Sequence, residues 1–223
     1  MVSNNRFCVV DVCGTLFSAD TTLGLVRAHV LRTGNPFKRF FLWAISAKYS
    51  PLYLVFVLIE KITRRHIFKH AIVFFLRGAT KRDLELTSES YLDHLLTHKS
   101  QASVWSRLKL CEGETLVLAS ASVSPFVATL AARLKCQYVA SQLELDSGKY
   151  TGRLLVDITG CKIQSLASII DAGSLADIST VISDNLTDKS LLRCADNPVV
   201  VLNRSKDRFR WKGLEAEYLE TWL

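Results

Sequence analysis

The sequence predicts an α/β domain with a doubly wound, parallel sheet, interrupted by a helical insert. Three observations predict it. From about residue 115 onward, short apolar runs of strand length alternate with helical patterns. The long stretch from about Asp20 to about Leu110 reads as mostly helical. Polar residues able to do chemistry stand where apolar strand runs end, and open α/β sheets bind ligands at the carboxyl ends of their strands.

The elements follow in order. Arg6 to Val12 is apolar apart from one carboxylate and leads into Gly-Thr, a buried strand ending in a turn. In the helical stretch, Leu84, Leu86, Leu92, Leu95 and Leu96 mark a rough helical face. Thr115 to Ala119 is a second strand. Ser124-Pro125 suits a helix start, with Ser as cap and Pro at the first helical position. Val127, Leu130 and Leu134 then share one face. Gln137 to Ala140 is a third strand, and D-S-G-K inside Leu143 to Leu155 marks a hairpin. Lys162 to Ala172 is a helix with Ile163, Leu166, Ile169 and Ile170 inward. Thr180 to Ser183 and Val199 to Leu202 are the fourth and fifth strands. Trp211 and Trp222 are expected to cover the sheet edge.

The length, 223 residues, suits one large domain or one domain with an insert. With 49% hydrophobic and 22% charged residues, disordered and low-complexity classes are excluded. None of the six cysteines forms a C-x-x-C pair, so no structural zinc site is expected. His66 and His70 have metal-binding spacing on a helix, but no third ligand accompanies them. Cys8 reads as a small core residue. The polar start and the short apolar run after it do not fit a signal peptide, and a reducing, cytoplasmic compartment is expected.

Charge is unevenly spread. Lys38 to Arg82 holds ten Lys and Arg against one acid, Glu60, so this segment carries +9 of a chain total of +7 and the remainder carries −2. The segment is also the most apolar, and from Phe40 to Ile59 only Lys48 is charged. That run is just long enough to span a bilayer, about 20 residues, but Lys48 would sit near its centre with Pro51 one turn on. Basic, aromatic-rich helices lying on an anionic membrane surface fit better. A helical subdomain packed on itself and on the body fits equally. No nucleic acid is expected, because the apolar content exceeds what phosphate tracking requires.

The residues with chemistry are Asp11 in D-V-C-G-T, Ser120 in L-A-S-A-S, Lys162 after Gly160, and Asp184 and Asp188 in S-D-N-L-T-D. Carboxylates can hold Mg²⁺, which prefers oxygen ligands. A Lys and a hydroxyl can hold phosphoryl oxygens. A remaining carboxylate can act as nucleophile. Each residue alone reads as a turn, cap or surface group; five in this order carry the joint reading. Asn185 is placed to orient the same site.

With these motifs the chain resembles the haloacid dehalogenase-like (HAD) superfamily, near its phosphoserine-phosphatase-like branch. The flanking S-A-S-V-S-P-F-V, Y-T-G-R-L and L-L-R-C-A-D-N-P-V-V-V-L-N also resemble that branch. The resemblance implies a Rossmann-like core, residues 1–18 and 105–223, and a helical cap inserted after the first motif, residues 19–104. Caps close over the site and select substrates. It implies a phosphomonoester phosphatase: Asp11 attacks phosphorus and forms an aspartyl-phosphate, and Ser120 and Lys162 hold the phosphoryl group. Mg²⁺ is held by Asp11, the Cys13 carbonyl and Asp184, with Asp188 in support. Some members with apolar caps resemble lipid head-group phosphatases, so the implied substrate is a phosphorylated small molecule or a lipid head group, with the enzyme peripheral at the membrane.

One residue departs from the pattern. The branch carries D-x-D-G-T, and its second Asp protonates the leaving alcohol and later activates water. This chain has Cys13 there. A thiol is a poor substitute, and losing a positioned acid/base costs about 10²–10⁴ in rate. Three readings follow: a phosphatase that is slow or has a good leaving group, a dehalogenase-type hydrolase, or a phosphoester-binding regulatory protein with weak turnover. Dehalogenases also lack the second Asp, but they lack the metal carboxylate at the position of Asp184 as well.

Overall fold

The computed structural model describes residues 6–63, 66–170 and 174–222. A seven-stranded sheet runs in the order β4-β3-β2-β1-β5-β6-β7. Its strands are β1 (Phe7–Val10), β2 (Thr115–Val123), β3 (Gln137–Asp146), β4 (Lys149–Val156), β5 (Ile178–Ser183), β6 (Asn197–Leu202) and β7 (Glu217–Glu220). All neighbours pair in parallel except β3 and β4, which form an antiparallel hairpin at one edge. The chain winds both ways from β1, so the α/β, doubly wound class is the observed one.

Alternation along the strands builds two cores. Cys8 and Val10 face one side, with Leu118, Ile182 and Val201. Phe7 and Val9 face the other, with Val117, Val181 and Val200. The first core is covered by helices α1 (Thr21–Thr33), α5 (Lys81–His98) and α7 (Ser124–Leu134). Helices α2 (Pro36–Ser46), α3 (Pro51–Thr63) and α4 (Ile67–Val73) stand beyond them, and α6 (Ala102–Lys109) leads back to β2. The second core is covered by α8 (Lys162–Leu166), α9 (Lys189–Leu192) and the 3₁₀ turn Ser205–Trp211, which buries Trp211.

Local chemistry explains the helix starts. The Asp20 carboxylate accepts from the Leu23 N–H at 2.9 Å to open α1, and Asn35 does the same for Lys38 in α2. Thr80 and Asp83 form a reciprocal capping box on α5.

The structure differs from the sequence reading at several points. β3 runs unbroken into the hairpin, whose turn uses Ser147 and Gly148 at φ of 47° and 78°, the mirror-image turn that matches strand twist. Ser124 is the first residue of α7 and makes no side-chain cap, because β2 continues to Val123 with no loop between. α8 ends at Leu166 rather than Ala172; the hydroxyls of Ser165 and Ser168 bond to the carbonyls of Cys161 and Ser165, competing with the helix ladder. Residues 171–173 lie outside the described residues. Leu86 is 39% exposed and Trp222 40% exposed, so neither packs as expected. β7 was not expected, because E-Y-L-E is a half-exposed edge strand whose charges hide its pattern. No single helix is long and apolar enough to cross a membrane among the described residues.

Candidate active site

Asp11 follows β1 directly, and Asp184 follows β5, the adjacent strand. Both therefore leave the sheet at its carboxyl end. Lys162 opens α8, and Asp188 closes the 3₁₀ turn Leu186–Asp188. The Lys162 ammonium lies 3.0 Å from Asp11 Oδ1 and 2.6 Å from Asp188 Oδ2. All three side chains are buried. Ser183 Oγ donates to Asp188 Oδ2 at 2.7 Å, whereas Asp188 Oδ1 is buried with no partner among the described residues.

Asp184 stands beside this group. Thr15 Oγ1 donates to its Oδ1 at 2.9 Å, and Asn203 Nδ2 donates to its Oδ2 at 3.0 Å. The turn carrying Thr15 is braced by Gln101 and Asn203, whose amides donate to the Gly14 carbonyl at 2.7 and 2.8 Å. Gly14 has φ of 74°, and a Cβ there would come within 2.2 Å of Asp184 Oδ2. Only glycine allows that approach.

The electrostatics show an excess of negative charge. Burial alone would lower the Lys162 ammonium, but Asp11 and Asp188 outweigh it and hold it charged. Burial and then the neighbouring Asp11 push the Asp184 carboxyl up to about 7. One ammonium thus faces three carboxylates. Together with the partnerless Asp188 oxygen and a donor set made only of oxygens, this arrangement fits a hard divalent cation such as Mg²⁺. Asp11 and Asp184, which both line the cavity, are the residues that could hold it, with Asp188 buried behind them; the three do not all bring carboxylate oxygens within 4.8 Å of one another.

A cavity of about 510 Å³ opens over these strand ends. Asp11, Cys13, Asp184 and Asn185 line it, with Asp20, Ser122 and Arg210. His66, Phe68 and Lys69 reach it from the α3–α4 side. Ser120, Lys162 and Asp188 do not line it; they lie buried beneath. Ser120 Oγ accepts from the Ser122 N–H at 3.2 Å. Ser122 in turn shares a short hydrogen bond with Thr21, which ties α1 to the end of β2. Asn185 caps its own turn by accepting from the Thr187 N–H at 3.1 Å.

The Cys13 thiol donates to the Ala19 carbonyl at 3.2 Å, and burial, followed by Asp20 and Asp11, pushes its pKa upward. His66 and His70 are both exposed, and no metal-ligand cluster includes them among the described residues. Cys8, Cys111 and Glu114 do bring ligand atoms within 4.8 Å of one another, around the sheet's first strand. Three donors with the Arg107 guanidinium 3.7 Å from Cys111 Sγ fall short of the four ligands of structural zinc.

Sequence reasoning passed over several residues of the site. Thr15 and Asn203 grip Asp184 from 169 and 19 positions away, and Ser183 grips Asp188. Lys69 reaches from α4 to Asp157 Oδ1 at 2.6 Å, Ser141 Oγ at 2.9 Å and Thr159 Oγ1 at 3.1 Å. Burial works against the Asp157 charge, but the bonds from Lys69 and Thr159 prevail and bring its pKa down to about 2. The placement of Thr15 in G-T and of Ser183 next to Asp184 were the available signals.

Comparison with known structures agrees with the fold. A protein of unknown function from Bordetella pertussis Tohama I superposes with a TM-score of 0.74 at 18% identity, covering 98% of this chain and 100% of that one. A phospho-aspartyl intermediate analogue of phosphoserine phosphatase gives 0.57 at 16% identity, covering 96% and 92%. Cytosolic 5'-nucleotidase IIIB bound to cytidine gives 0.65 at 12% identity, covering 97% and 80%. At these identities the likeness concerns the fold. No curated protein matches the chain in sequence. The sequence model of haloacid dehalogenase-like hydrolases matches residues 8–193, most of the chain. The chain belongs to the haloacid dehalogenase-like hydrolase family.

Proposed function

We propose that this hydrolase is a Mg²⁺-dependent phosphomonoester phosphatase that works through an aspartyl-phosphate on Asp11. The observation that carries the reading is the state of the Asp11 carboxylate. Its Oδ1 accepts from the Val12 N–H at 2.7 Å and faces Lys162 at 3.0 Å. Its Oδ2 has no hydrogen bond among the described residues, and Asp11 lines the cavity. One oxygen is anchored and the other is left to attack.

In the proposed reaction Asp11 Oδ2 bonds to phosphorus as the ester P–O bond breaks, and the leaving oxygen departs with the bonding pair and takes its proton from solvent water. Water then attacks the aspartyl-phosphate, releasing phosphate and restoring the carboxylate. Lys162 sits within reach of charge developing near Asp11 Oδ1, and Asp188 keeps the ammonium in place. Ser120 braces the end of β2 through the Ser122 N–H rather than presenting its hydroxyl to the cavity. A bound Mg²⁺ would supply Lewis-acid stabilisation of the phosphoryl oxygens.

Cys13 supports a second reading, in which phosphoesters are held with little turnover. Its thiol is engaged with Ala19 and its pKa is raised, so it neither activates water nor readily protonates an alkoxide. A dehalogenase reading is less well supported, since both metal-type carboxylates, Asp184 and Asp188, are in place.

Phosphate release from an activated aryl phosphate, with and without Mg²⁺, tests the proposal. An aryl leaving group needs little protonation, so the assay bypasses Cys13. Mg²⁺-dependent release that disappears in Asp11→Asn is expected. No release above that blank, from folded protein that still binds Mg²⁺, would leave the second reading standing.

A further inference from the structure

Helix α3 reads P-L-Y-L-V-F-V-L-I-E-K-I-T, and none of its residues is buried. Its packed side is one narrow stripe. Tyr53 and Phe56 set their rings 5.8 and 6.1 Å from Phe68 of α4, and Glu60 completes the stripe. The remaining apolar side chains stand open: Leu54 is 56% exposed, Leu58 58% and Ile62 73%. On the neighbouring helix α2, Phe37 is 75% exposed and shares a groove with Phe56 of α3, while Phe40 at 60% and Trp43 at 63% stand open on the side towards Leu31 of α1. A helix that is apolar on every side belongs in a core or against lipid. Exposed apolar patches above a few hundred Å² mark interaction sites.

The charge pattern identifies the occupant. Arg39 on α2, Lys61 on α3 and Lys48 in the bend between them are exposed, within a segment carrying ten cations and one acid. That acid is turned inward: Glu60 Oε1 accepts from the Phe68 N–H at 2.9 Å and satisfies the start of α4. The outward surface therefore combines apolar side chains with positive charge alone. A second copy packed about a two-fold axis would set these cations against themselves. A span is disfavoured by the 53° bend between α2 and α3, where Lys48 is exposed.

We propose that α2 and α3 dock in the plane of an anionic lipid leaflet, aromatic and aliphatic side chains inserted and the cations at the head groups. His66, which lines the catalytic cavity, is three residues past the end of α3. Three residues reach at most about 11 Å, so docking brings the cavity mouth close to the leaflet. The consequence for substrate, a phosphomonoester carried on that leaflet, rests on the phosphatase reading; the docking itself does not.

The test is co-sedimentation of the full chain with vesicles of phosphatidylcholine alone, and of phosphatidylcholine mixed with phosphatidylglycerol, at low and high salt. Binding to the mixed vesicles that weakens with salt is expected. It should fall at least about tenfold in Lys48→Glu with Lys61→Glu, and also in Leu58→Glu with Ile62→Glu. Circular dichroism checks that both variants fold. Asp11→Asn should bind like the unaltered protein, so loss of turnover and loss of docking are read separately. Three results would overturn the proposal: protein left in solution with anionic vesicles at low salt, binding that resists alkaline extraction as a buried span would, or a dimer in sedimentation velocity that the Leu58 and Ile62 changes dissociate.

Discussion

At the carboxyl ends of β1 and β5 three charged side chains, Asp11, Lys162 and Asp188, are buried. Along α3, Leu54, Leu58 and Ile62 stand in solvent. Each region departs from ordinary partition, in which apolar groups go inside and charges outside. The departures differ in how they are sustained. The buried charges are held by long-range hydrogen bonds and ion pairs that fix each atom. The exposed apolar helix rests on one aromatic stripe against Phe68. The first region is built for positional accuracy, the second for contact with something deformable. Natural sequences tolerate such departures where function needs them.

Five variants would break or sharpen that contrast. The largest effect is expected from Gly14→Ala, whose methyl would displace the Asp184 carboxylate. Turnover of an aryl phosphate should fall by about 10²-fold or more, with Mg²⁺ affinity by calorimetry falling alongside it. Lost turnover with Mg²⁺ affinity unchanged would show that Asp184 is not a ligand.

Cys13→Asp should raise turnover of an alkyl phosphate by about 10²–10⁴, while an aryl phosphate gains much less. Equal gains on both would mean that the thiol's effect is not on protonation.

Lys162→Met leaves Asp11 and Asp188 buried without a countercharge. The expected cost is about 3–5 kcal/mol, read by thermal denaturation as a fall in Tm of roughly 10 °C. A Tm within a degree of the unaltered protein would mean that the ion group contributes no net stability.

The Lys69–Asp157 contact gives a smaller, pH-dependent effect. The folded Asp157 pKa is about 2, below the unfolded value of about 3.9. Its contribution is therefore complete above about pH 4 and lost as pH falls towards 2. The pair is partly exposed, so the gain is about 1 kcal/mol after solvent screening. Asp157→Asn should lower stability at neutral pH and converge with the unaltered protein in acid. Parallel acid-unfolding curves would refute the assignment.

The smallest effect is expected on α3. Leu58→Gln should change stability by no more than about 0.5 kcal/mol in urea, since the side chain is 58% exposed. A loss of about 2 kcal/mol would instead place Leu58 in a packed core.

Much of the core was legible because strand and helix periods are local. The apolar run ending in Asp11 and the alternation after residue 115 need no distant partner to be read. β7 was missed because an edge strand buries too little to leave a pattern, and the full length of α8 was overstated because Ser165 and Ser168 bond back to the main chain. At the site, the acids and the lysine could be picked out by their position after strand runs. Of their supports only Thr15 in G-T and Ser183 beside Asp184 left a local signal; Gln101 and Asn203 carry no mark of their role outside the folded turn.

The sequence by itself therefore determined the α/β class, the alternation of elements, the candidate acids and the concentration of positive charge in residues 38–82. Only the tertiary structure decided which Asp11 oxygen is anchored, that Ser120 lies beneath the cavity floor, that Cys13 turns to Ala19, and that α3 keeps its apolar sides outward. The physical reason is range. Periodicity and charge content are properties of neighbouring residues, whereas hydrogen-bond partners and burial are set when residues as far apart as Thr15 and Asp184 meet.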